Sequence, residues 1–180
     1  TELIRVEGED VHYCPNEQHC PPQVTGKIEH FISRNAMDIE TLGPRTIKGL
    51  VDAGLIADMA DLYSLDFEDL NGLQFTIEDP ETLEVKKRSI KEKTAQNIID
   101  SIEASKTVPF ERVLFGLGIR FVGRTVAEKL AEYFKSMKAL RQATEEEIME
   151  VREIGERIAS SLVDYFKNEK NQEIIRKLAE

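Results

Sequence analysis

The sequence predicts a mainly α-helical protein whose helices are paired through glycine turns and follow a small β-hairpin. An apolar residue and a glycine, Val122-Gly123, begin an apolar helical stretch with a small residue, Ala127, four positions after the glycine. The same pattern returns 32 residues later at Ile154-Gly155, with Ala159. Apolar residues recur at helical spacing on both sides of each turn. These observations together favour short antiparallel helices over a sheet.

Two further turns extend the pattern into the first half of the chain. Leu42-Gly43 is followed by Ile47, and a weaker candidate, Leu70-Asn-Gly72-Leu73, lies 29 residues after Gly43. One such turn alone is more often an ordinary connection between helices. Four turns at matched spacing predict four helix-hairpin-helix units in two tandem pairs, an arrangement that favours a duplex-binding module.

The chemistry of the Val122-Gly123 turn points to an anion. Glycine permits a tight turn, and the first amides of the helix after it have no partner within that helix. Such amides are a natural seat for a phosphate. Arg120 and Arg124 flank the turn, so two cations and the helix dipole would converge on one group.

Size and composition exclude several classes of protein. The chain has 180 residues, 41% hydrophobic content and a net charge of −10, which suits a soluble globular protein with a real core. It carries no membrane-length apolar run and no signal-peptide pattern, so a cytoplasmic location is expected. Two cysteines are too few for a disulfide scaffold.

The negative net charge argues against nucleic acid until its distribution is considered. Residues 1–80 carry 5 basic and 16 acidic side chains, whereas residues 106–141 carry 8 basic and 3 acidic ones. The basic segment contains the clearest glycine turn. Phosphate binding depends on local cations, so this segment is the first candidate for an interface.

Two β-prone runs open the chain and lead into a pair of cysteines. Residues 3–6 and 11–13 predict a β-hairpin. Cys14 and Cys20 then supply two of the four ligands that a tetrahedral zinc site needs, with His12, His19 and His30 as the remaining candidates. Two cysteines alone are more often unligated thiols, so the sequence shows half a site.

Helices are predicted in order from caps and apolar spacing. Proline opens helices at Pro21, Pro44 and Pro109, where its missing amide is tolerated. Asp58 and Asp66 are placed to cap short helical turns, and Thr144 with Glu147 forms a capping box. Further helices are expected at 93–106, after Gly123 to about residue 134, after Gly155, and around residues 174–178.

Residues 73–91 fit the repeat badly and are interpreted as an insertion into the second hairpin. Thr76 and Asp79-Pro80 indicate turns. Lys86-Lys87-Arg88 forms a basic tip, for which a phosphate contact and simple solvation are equally good interpretations.

Several short motifs coincide in one order along the chain. They are Cys14-x-Asn-x-x-x-Cys20-Pro-x-Gln23, Ala36-Met-Asp-Ile-Glu-x-Leu-Gly43, Ile102-Glu-Ala-Ser-Lys106, Gly116-Leu-Gly-Ile-Arg-Phe-Val-Gly123, and Ile154-Gly155 with Asn171-x-x-Ile-Ile-x-x-Leu178. Together they resemble the zinc-finger and helix-hairpin-helix region of bacterial NAD-dependent DNA ligases, over essentially the whole chain. The resemblance divides the chain into a partial zinc finger at 1–22, a first hairpin pair at 23–106 and a second pair at 107–180.

The resemblance implies a part of a nick-sealing enzyme that acts in DNA replication and repair. The family's active-site Lys-x-Asp-Gly motif is absent from this sequence, so adenylation by NAD and the Mg²⁺-assisted steps are expected in domains outside it. The family's zinc site begins with a Cys-x-x-Cys pair upstream of residue 1, which leaves Cys14 and Cys20 as the zinc ligands expected here. Thr94 stands where the family usually has serine.

The expected role is a monomeric clamp that holds duplex or nicked DNA across the minor groove, beside other domains of the same ligase. Phosphate contacts carry no base code, which suits an enzyme that seals any sequence. The candidate DNA-binding residues are Gly43, Arg45, Gly72, Lys93, Thr94, Gly118, Arg120, Gly123, Arg124, Thr125, Gly155 and Arg157. Two alternatives stay open: the paired-hairpin domain of another repair factor, and a helical protein-interaction module that uses the acidic face of residues 1–80.

Overall fold

A computed structural model describes residues 2–5, 10, 12–16, 20–78 and 85–179 of the chain. Within these ranges the protein is mainly helical, as the sequence predicts. The α-helices are α1 Pro21–Ile32, α2 Pro44–Asp52, α3 Phe67–Leu70, α4 Glu92–Ser105, α5 Phe110–Gly116, α6 Arg124–Phe134, α7 Met137–Gln142, α8 Glu145–Met149, α9 Glu156–Lys167 and α10 Glu169–Ala179. A 3₁₀ helix spans Ala60–Ser64, and the strands are β1 Ile4–Arg5, β2 His12–Tyr13, β3 Gln74–Glu78 and β4 Val85–Ser89.

The predicted N-terminal β-hairpin is present. Strands β1 and β2 pair antiparallel, with Ile4 opposite Tyr13 and Arg5 opposite His12. The chain then passes Cys14 and reaches α1, which begins after Cys20. The hairpin therefore leads directly into the first helix of the helical body.

Local capping chemistry fixes several helix starts where the sequence predicts them. Asp66 and Asp69 cap α3 reciprocally, and Thr144 and Glu147 do the same for α8, with the Thr144 amide donating to Glu147 at 2.7 Å. Helix α7 was not predicted. It begins at Ser136, whose hydroxyl accepts a 3.2 Å hydrogen bond from the Ala139 amide.

One hydrophobic core runs through both halves of the helical body. Leu50 of α2, Leu114 of α5, Leu130 of α6 and Leu162 of α9 are all fully buried. Helices α1 and α5 approach closely because α5 ends in Gly116, where a Cβ atom would lie 3.2 Å from the ring of Phe31. The continuous core holds the hairpin turns of the two halves in fixed positions.

The last helix closes the chain back onto the first half. The Lys177 ammonium of α10 donates to Asp61 at 3.0 Å and to Asp58 at 3.2 Å, beside the 3₁₀ helix. Burial alone would raise the pKa of Asp61, but hydrogen bonds from the Ala57 amide and from Lys177 outweigh it and lower that pKa. The hydrogen bond to Asp61 likewise raises the pKa of Lys177. Both shifts favour the charged forms of Asp61 and Lys177. The ion pair between them therefore ties α10 to the first half of the chain.

The prediction for residues 73–91 needs a correction. Thr76, predicted as a turn, lies inside β3 and is paired with Lys87 of β4, while Asp79-Pro80 lies outside the described residues. Phe75 and Ile77 alternate with polar neighbours, which is the period of a half-buried strand. The segment therefore contains a β-hairpin, whose Phe75 packs against Gly49 of α2.

None of the helices described by the structure is long and apolar enough to span a membrane.

Candidate nucleic-acid interface

Three turns share one backbone geometry, at 41–43, 121–123 and 153–155. Each begins with a residue in the left-handed region, continues with a buried aliphatic residue and ends with a glycine that starts the next helix. The left-handed residues are Thr41 at φ 69°, Phe121 at φ 65° and Glu153 at φ 66°. The buried aliphatic residues are Leu42, Val122 and Ile154, each 5–6% exposed. Repetition of this costly backbone conformation in non-glycine residues indicates that the surrounding packing imposes it.

Packing orients the start of each following helix. The residue four positions after the glycine is fully buried in all three cases, as Ile47, Ala127 and Ala159. The small residues predicted at the second and third of these positions therefore allow close approach between helices. The aliphatic residue before each glycine and the residue four positions after it both face the core. The glycine between them is therefore held at the surface.

The fold does not itself require glycine at Gly43, Gly123 and Gly155. Their φ angles are −89°, −80° and −99°, which any residue can adopt. A Cβ atom at each would meet no other atom within 4 Å. No side chain caps the first turn of α2, α6 or α9 from the glycine position. The lack of a side chain thus leaves each set of first-turn amides open to an acceptor from outside.

The second turn keeps the geometry but not the glycine. Gly72, at φ 84°, takes the left-handed position, and the buried aliphatic position is taken by Ile90, which is 4% exposed. Lys91 then starts α4 where the other turns have glycine. The Gly72 amide donates to the Ile90 carbonyl at 2.8 Å, which closes the turn across the β-hairpin. Gly72, proposed from sequence as the glycine of the helix start, therefore has a different place in the unit.

Six further candidate residues lie at the helix starts. In α2, α4, α6 and α9, the helices that follow the four turns, the second residue is polar or basic. Two more candidates lie at the first position of α6 and the third position of α4. The second positions are Arg45, Lys93, Thr125 and Arg157; Arg124 is first in α6 and Thr94 third in α4. All six are placed beside open first-turn amides.

The third and fourth turns meet at Phe121. The guanidinium carbon of Arg157 lies 4.1 Å from the centre of the Phe121 ring, and that of Arg120 lies 4.8 Å from it. The Ser161 hydroxyl of α9 donates to the Arg120 carbonyl at 2.8 Å. Phe121 is not among the candidate site residues that the sequence indicates, but it is 38% exposed. Its position beside Arg120 was the signal in the sequence, since a ring face attracts a cation.

Comparison with known proteins agrees with this geometry. The family model for the helix-hairpin-helix motif matches residues 112–175, which contain the third and fourth turns. Proteins named DNA ligase are similar over the chain: 51% identical over 180 residues in Parabacteroides distasonis, 52% over 180 residues in Christiangramia forsetii, and 48% over 178 residues in Flavobacterium johnsoniae. These matches cover 99–100% of this chain and 25% of each relative.

These matches are consistent with a fragment of a bacterial DNA ligase. The chain spans about a quarter of the length of the curated relatives that it matches. This similarity agrees with the resemblance found in the sequence motifs, and it weighs against the alternative of a different repair factor. Residues 112–175, which the helix-hairpin-helix model matches, lie within the stretch that is similar to these proteins.

The cations of the basic segment, residues 106–141, are more dispersed than the sequence suggests. Arg120 and Arg124 flank the third turn, and Arg124 also lies 3.5 Å from Glu128. Lys129 pairs with Glu153, and Arg112 donates to the Arg34 carbonyl at 2.6 Å. Three others, Lys135, Lys138 and Arg141, follow the C-terminus of α6, at its far end from Gly123. The positive charge at the interface therefore comes mainly from the helix starts.

Gly118 has a role in folding. It adopts φ 66°, and a Cβ atom there would lie 3.4 Å from the His30 ring. His30 Nε2 also lies 2.8 Å from the Phe115 carbonyl oxygen. The His30 ring packs edge-on against the Phe115 ring. These contacts account for Gly118 and for His30, a zinc candidate in the sequence, through the packing of α1 on α5.

Cys14 and Cys20 are free and half-buried. The Cys20 amide donates to the Asn16 carbonyl at 3.0 Å, and the Gln23 side-chain amide donates to the Cys14 carbonyl at 3.0 Å. His19 lies outside the described residues. Within the described ranges, no group of three or more histidine, cysteine or acidic side chains could hold a metal ion. Zinc binding by the two thiols stays a prediction from the sequence.

Proposed function

We propose that this region holds duplex DNA by its backbone phosphates, across the minor groove and beside a nick that the whole NAD-dependent ligase seals. The four turns act as two tandem helix-hairpin-helix pairs. Each turn offers first-turn amides, and the neighbouring side chains of Arg45, Lys93, Arg124 and Arg157 add positive charge. Contacts of this kind carry no sequence information, which suits a ligase that must seal any sequence.

The observation that carries the proposal is the glycine at the start of α2, α6 and α9. Neither backbone conformation nor packing within the protein requires it, since φ is negative and a Cβ atom would meet nothing within 4 Å. Serine, threonine, aspartate or asparagine would cap each helix better, but its side chain would occupy the amides. A helix start kept bare at three surface positions is explained by close approach of an external anion.

The arginines around Phe121 support the same partner. Arg120 and Arg157 lie on opposite turns but contact one ring, so the third and fourth turns present their charge together. Stacking against the ring restrains both guanidinium groups, which lowers the entropy lost when they bind phosphate.

Catalysis is assigned to the rest of the enzyme. The Lys-x-Asp-Gly motif is absent from this sequence, so we assign the binding of NAD and Mg²⁺, and the covalent steps, to the other three quarters of the ligase. We assign Cys14 and Cys20 as two ligands of a structural zinc whose remaining ligands come from that part. A structural zinc there would order the turn that precedes α1.

The test is a salt titration of binding to a nicked and to an intact duplex of unrelated sequence. The affinity should fall linearly with log salt on both duplexes. An Arg120→Ala/Arg124→Ala variant should reduce the magnitude of that slope by about two, because each lost phosphate contact removes roughly 0.9. A Lys135→Ala/Lys138→Ala variant, with the same charge change at the far end of α6, should leave the slope unaltered. Equal slopes in the two variants would refute the assignment.

A further inference from the structure

The β3–β4 hairpin inserted into the second turn is docked on the helical body. Phe75 of β3 packs on Gly49 of α2 so closely that a Cβ atom at Gly49 would lie 2.6 Å from the ring carbon Cγ. At the base of the hairpin, the Ile90 amide donates to the Leu73 carbonyl at 2.9 Å, and the Gly72 amide donates to the Ile90 carbonyl. The base of the hairpin is therefore fixed relative to α2 and α4.

All five residues of β4 are exposed, and three consecutive ones are cationic: Lys86, Lys87 and Arg88. Lys86 is opposite Ile77 and Arg88 is opposite Phe75, so these two cations lie on the face of the hairpin that packs toward α2, and Lys87 lies on the other. The strand leads within three residues to Lys91, the residue that starts α4. At about 3.3 Å per residue, Arg88 lies roughly 10 Å and Lys86 roughly 17 Å along the chain from that helix start.

The density of positive charge here is unusual for this half of the chain. Residues 86–93 contain five cations and one acid, whereas residues 1–80 contain 5 basic and 16 acidic side chains. Lys86, Lys87 and Arg88 form a cationic ridge on one exposed strand. Cations fixed close together create a local positive field, which attracts a polyanion. The ridge also adjoins the one turn that carries lysine in place of glycine at the helix start.

We propose that the β3–β4 hairpin is an additional DNA contact, in which the β4 cations bind backbone phosphates next to those held by the start of α4. The proposal rests on the DNA-binding function proposed above and extends it beyond the four turns. The second turn thereby exchanges the close approach permitted by glycine for a longer contact made with side chains. Such a contact is electrostatic and independent of base sequence.

The acidic residues that precede β4 in the sequence supply a competing explanation. Four carboxylates lie between residues 78 and 84 in the sequence, and ion pairing within the chain would neutralise the β4 cations. An acidic protein could also bind these cations. Either explanation predicts that removal of the cations leaves binding to DNA unchanged.

The decisive measurement is the salt dependence of duplex binding by the 180-residue chain with Lys86→Gln, Lys87→Gln and Arg88→Gln combined. The matched control combines Lys135→Gln, Lys138→Gln and Arg141→Gln, which remove the same charge beyond the C-terminus of α6. The β4 variant should reduce the magnitude of the slope of log affinity against log salt by about two to three, and the control should not change it.

The outcomes separate this proposal from the function on which it rests. An unchanged slope in the β4 variant, together with a reduced slope in the Arg120→Ala/Arg124→Ala variant, overturns the hairpin contact and leaves the proposed function standing. Unchanged slopes in both overturn both. A reduced slope in the β4 variant that the control reproduces overturns the hairpin contact, since net charge alone would then explain it.

A second variant tests whether docking positions the cations. Gly49→Ala removes no charge but forces Phe75 to move. It should weaken binding about threefold to tenfold, while Gly26→Ala, where a Cβ atom meets nothing within 4 Å, should not. Equal affinity in the two variants would overturn the docked contact.

Discussion

The first, third and fourth turns differ from the second at the residue that starts the following helix. This difference separates what a helix-hairpin-helix turn needs for folding from what it needs for binding. All four turns keep a left-handed residue and a buried aliphatic residue. The two are adjacent in sequence in three turns, whereas in the second turn the buried residue is Ile90, beyond the inserted hairpin. Three keep a bare glycine at the helix start, and the second has Lys91. Folding thus requires the buried aliphatic residue, whereas the glycine can be exchanged when the chain finds another way to meet its partner.

The inserted residues 73–89 leave the spacing of the unit intact. Without them, Lys91 would lie 31 residues after Gly43, close to the 32 residues between Gly123 and Gly155. The insertion begins and ends at neighbouring backbone groups, because the Gly72 amide donates to the Ile90 carbonyl. A β-hairpin suits this place, since its two ends are adjacent and impose no displacement on the helices.

The largest predicted effect tests which residue anchors the second turn. Ile90→Ala should lower the free energy of unfolding by about 3 kcal/mol, because it empties a site that is 4% exposed. Leu73→Ala, at the residue that follows Gly72 in sequence but is only half-buried, should cost less than half as much. Urea denaturation followed by circular dichroism measures both. If the two losses are equal, or in the reverse order, the turn has a different register from the one described.

What the sequence could predict depended on how local the cause was. The capping box at Thr144 and the proline at the start of α2 were predicted because both act within one helical turn. The role of Lys91 could not be predicted, because a search for glycine finds Gly72 first. The left-handed conformations of Thr41 and Phe121 carry no local signal either, since both side chains disfavour it and tertiary packing imposes it.

The basic segment shows the same limit for charge. The sequence places Lys135 and Arg124 in one basic segment. In the structure Arg124 is the first residue of α6 and Lys135 follows its last, so at 1.5 Å per residue roughly 16 Å separates them. Arg157 lies far from Arg120 in sequence, yet both contact Phe121. Charge that is contiguous in sequence is therefore a poor guide to charge that is contiguous on a helical surface.

A smaller effect on free energy is expected when a glycine that starts a helix in the first, third or fourth turn is replaced. Gly123→Ala should lower DNA affinity about tenfold, or ~1.4 kcal/mol, because the added methyl group obstructs a charge-assisted hydrogen bond from the amides. The free energy of unfolding should change by less than about 1 kcal/mol, since φ is negative and a Cβ atom has space. Titration of a labelled duplex and urea denaturation measure the two quantities. A large loss of stability with unchanged affinity would give the glycine a purely structural role.

The smallest effect is expected where the second turn is made to resemble the others. Lys91→Gly removes one cation from the start of α4 while leaving the buried Ile90 in place. If the second turn binds phosphate through side chains, affinity should fall about threefold and the salt slope should lose roughly one unit, since an exposed ion pair contributes 1 kcal/mol at most. Lys135→Gly, at a position already in the left-handed region and beyond the C-terminus of α6, is the matched control and should leave both unchanged. A rise in affinity would show instead that the second turn also binds through open amides, and that Lys91 obstructs them.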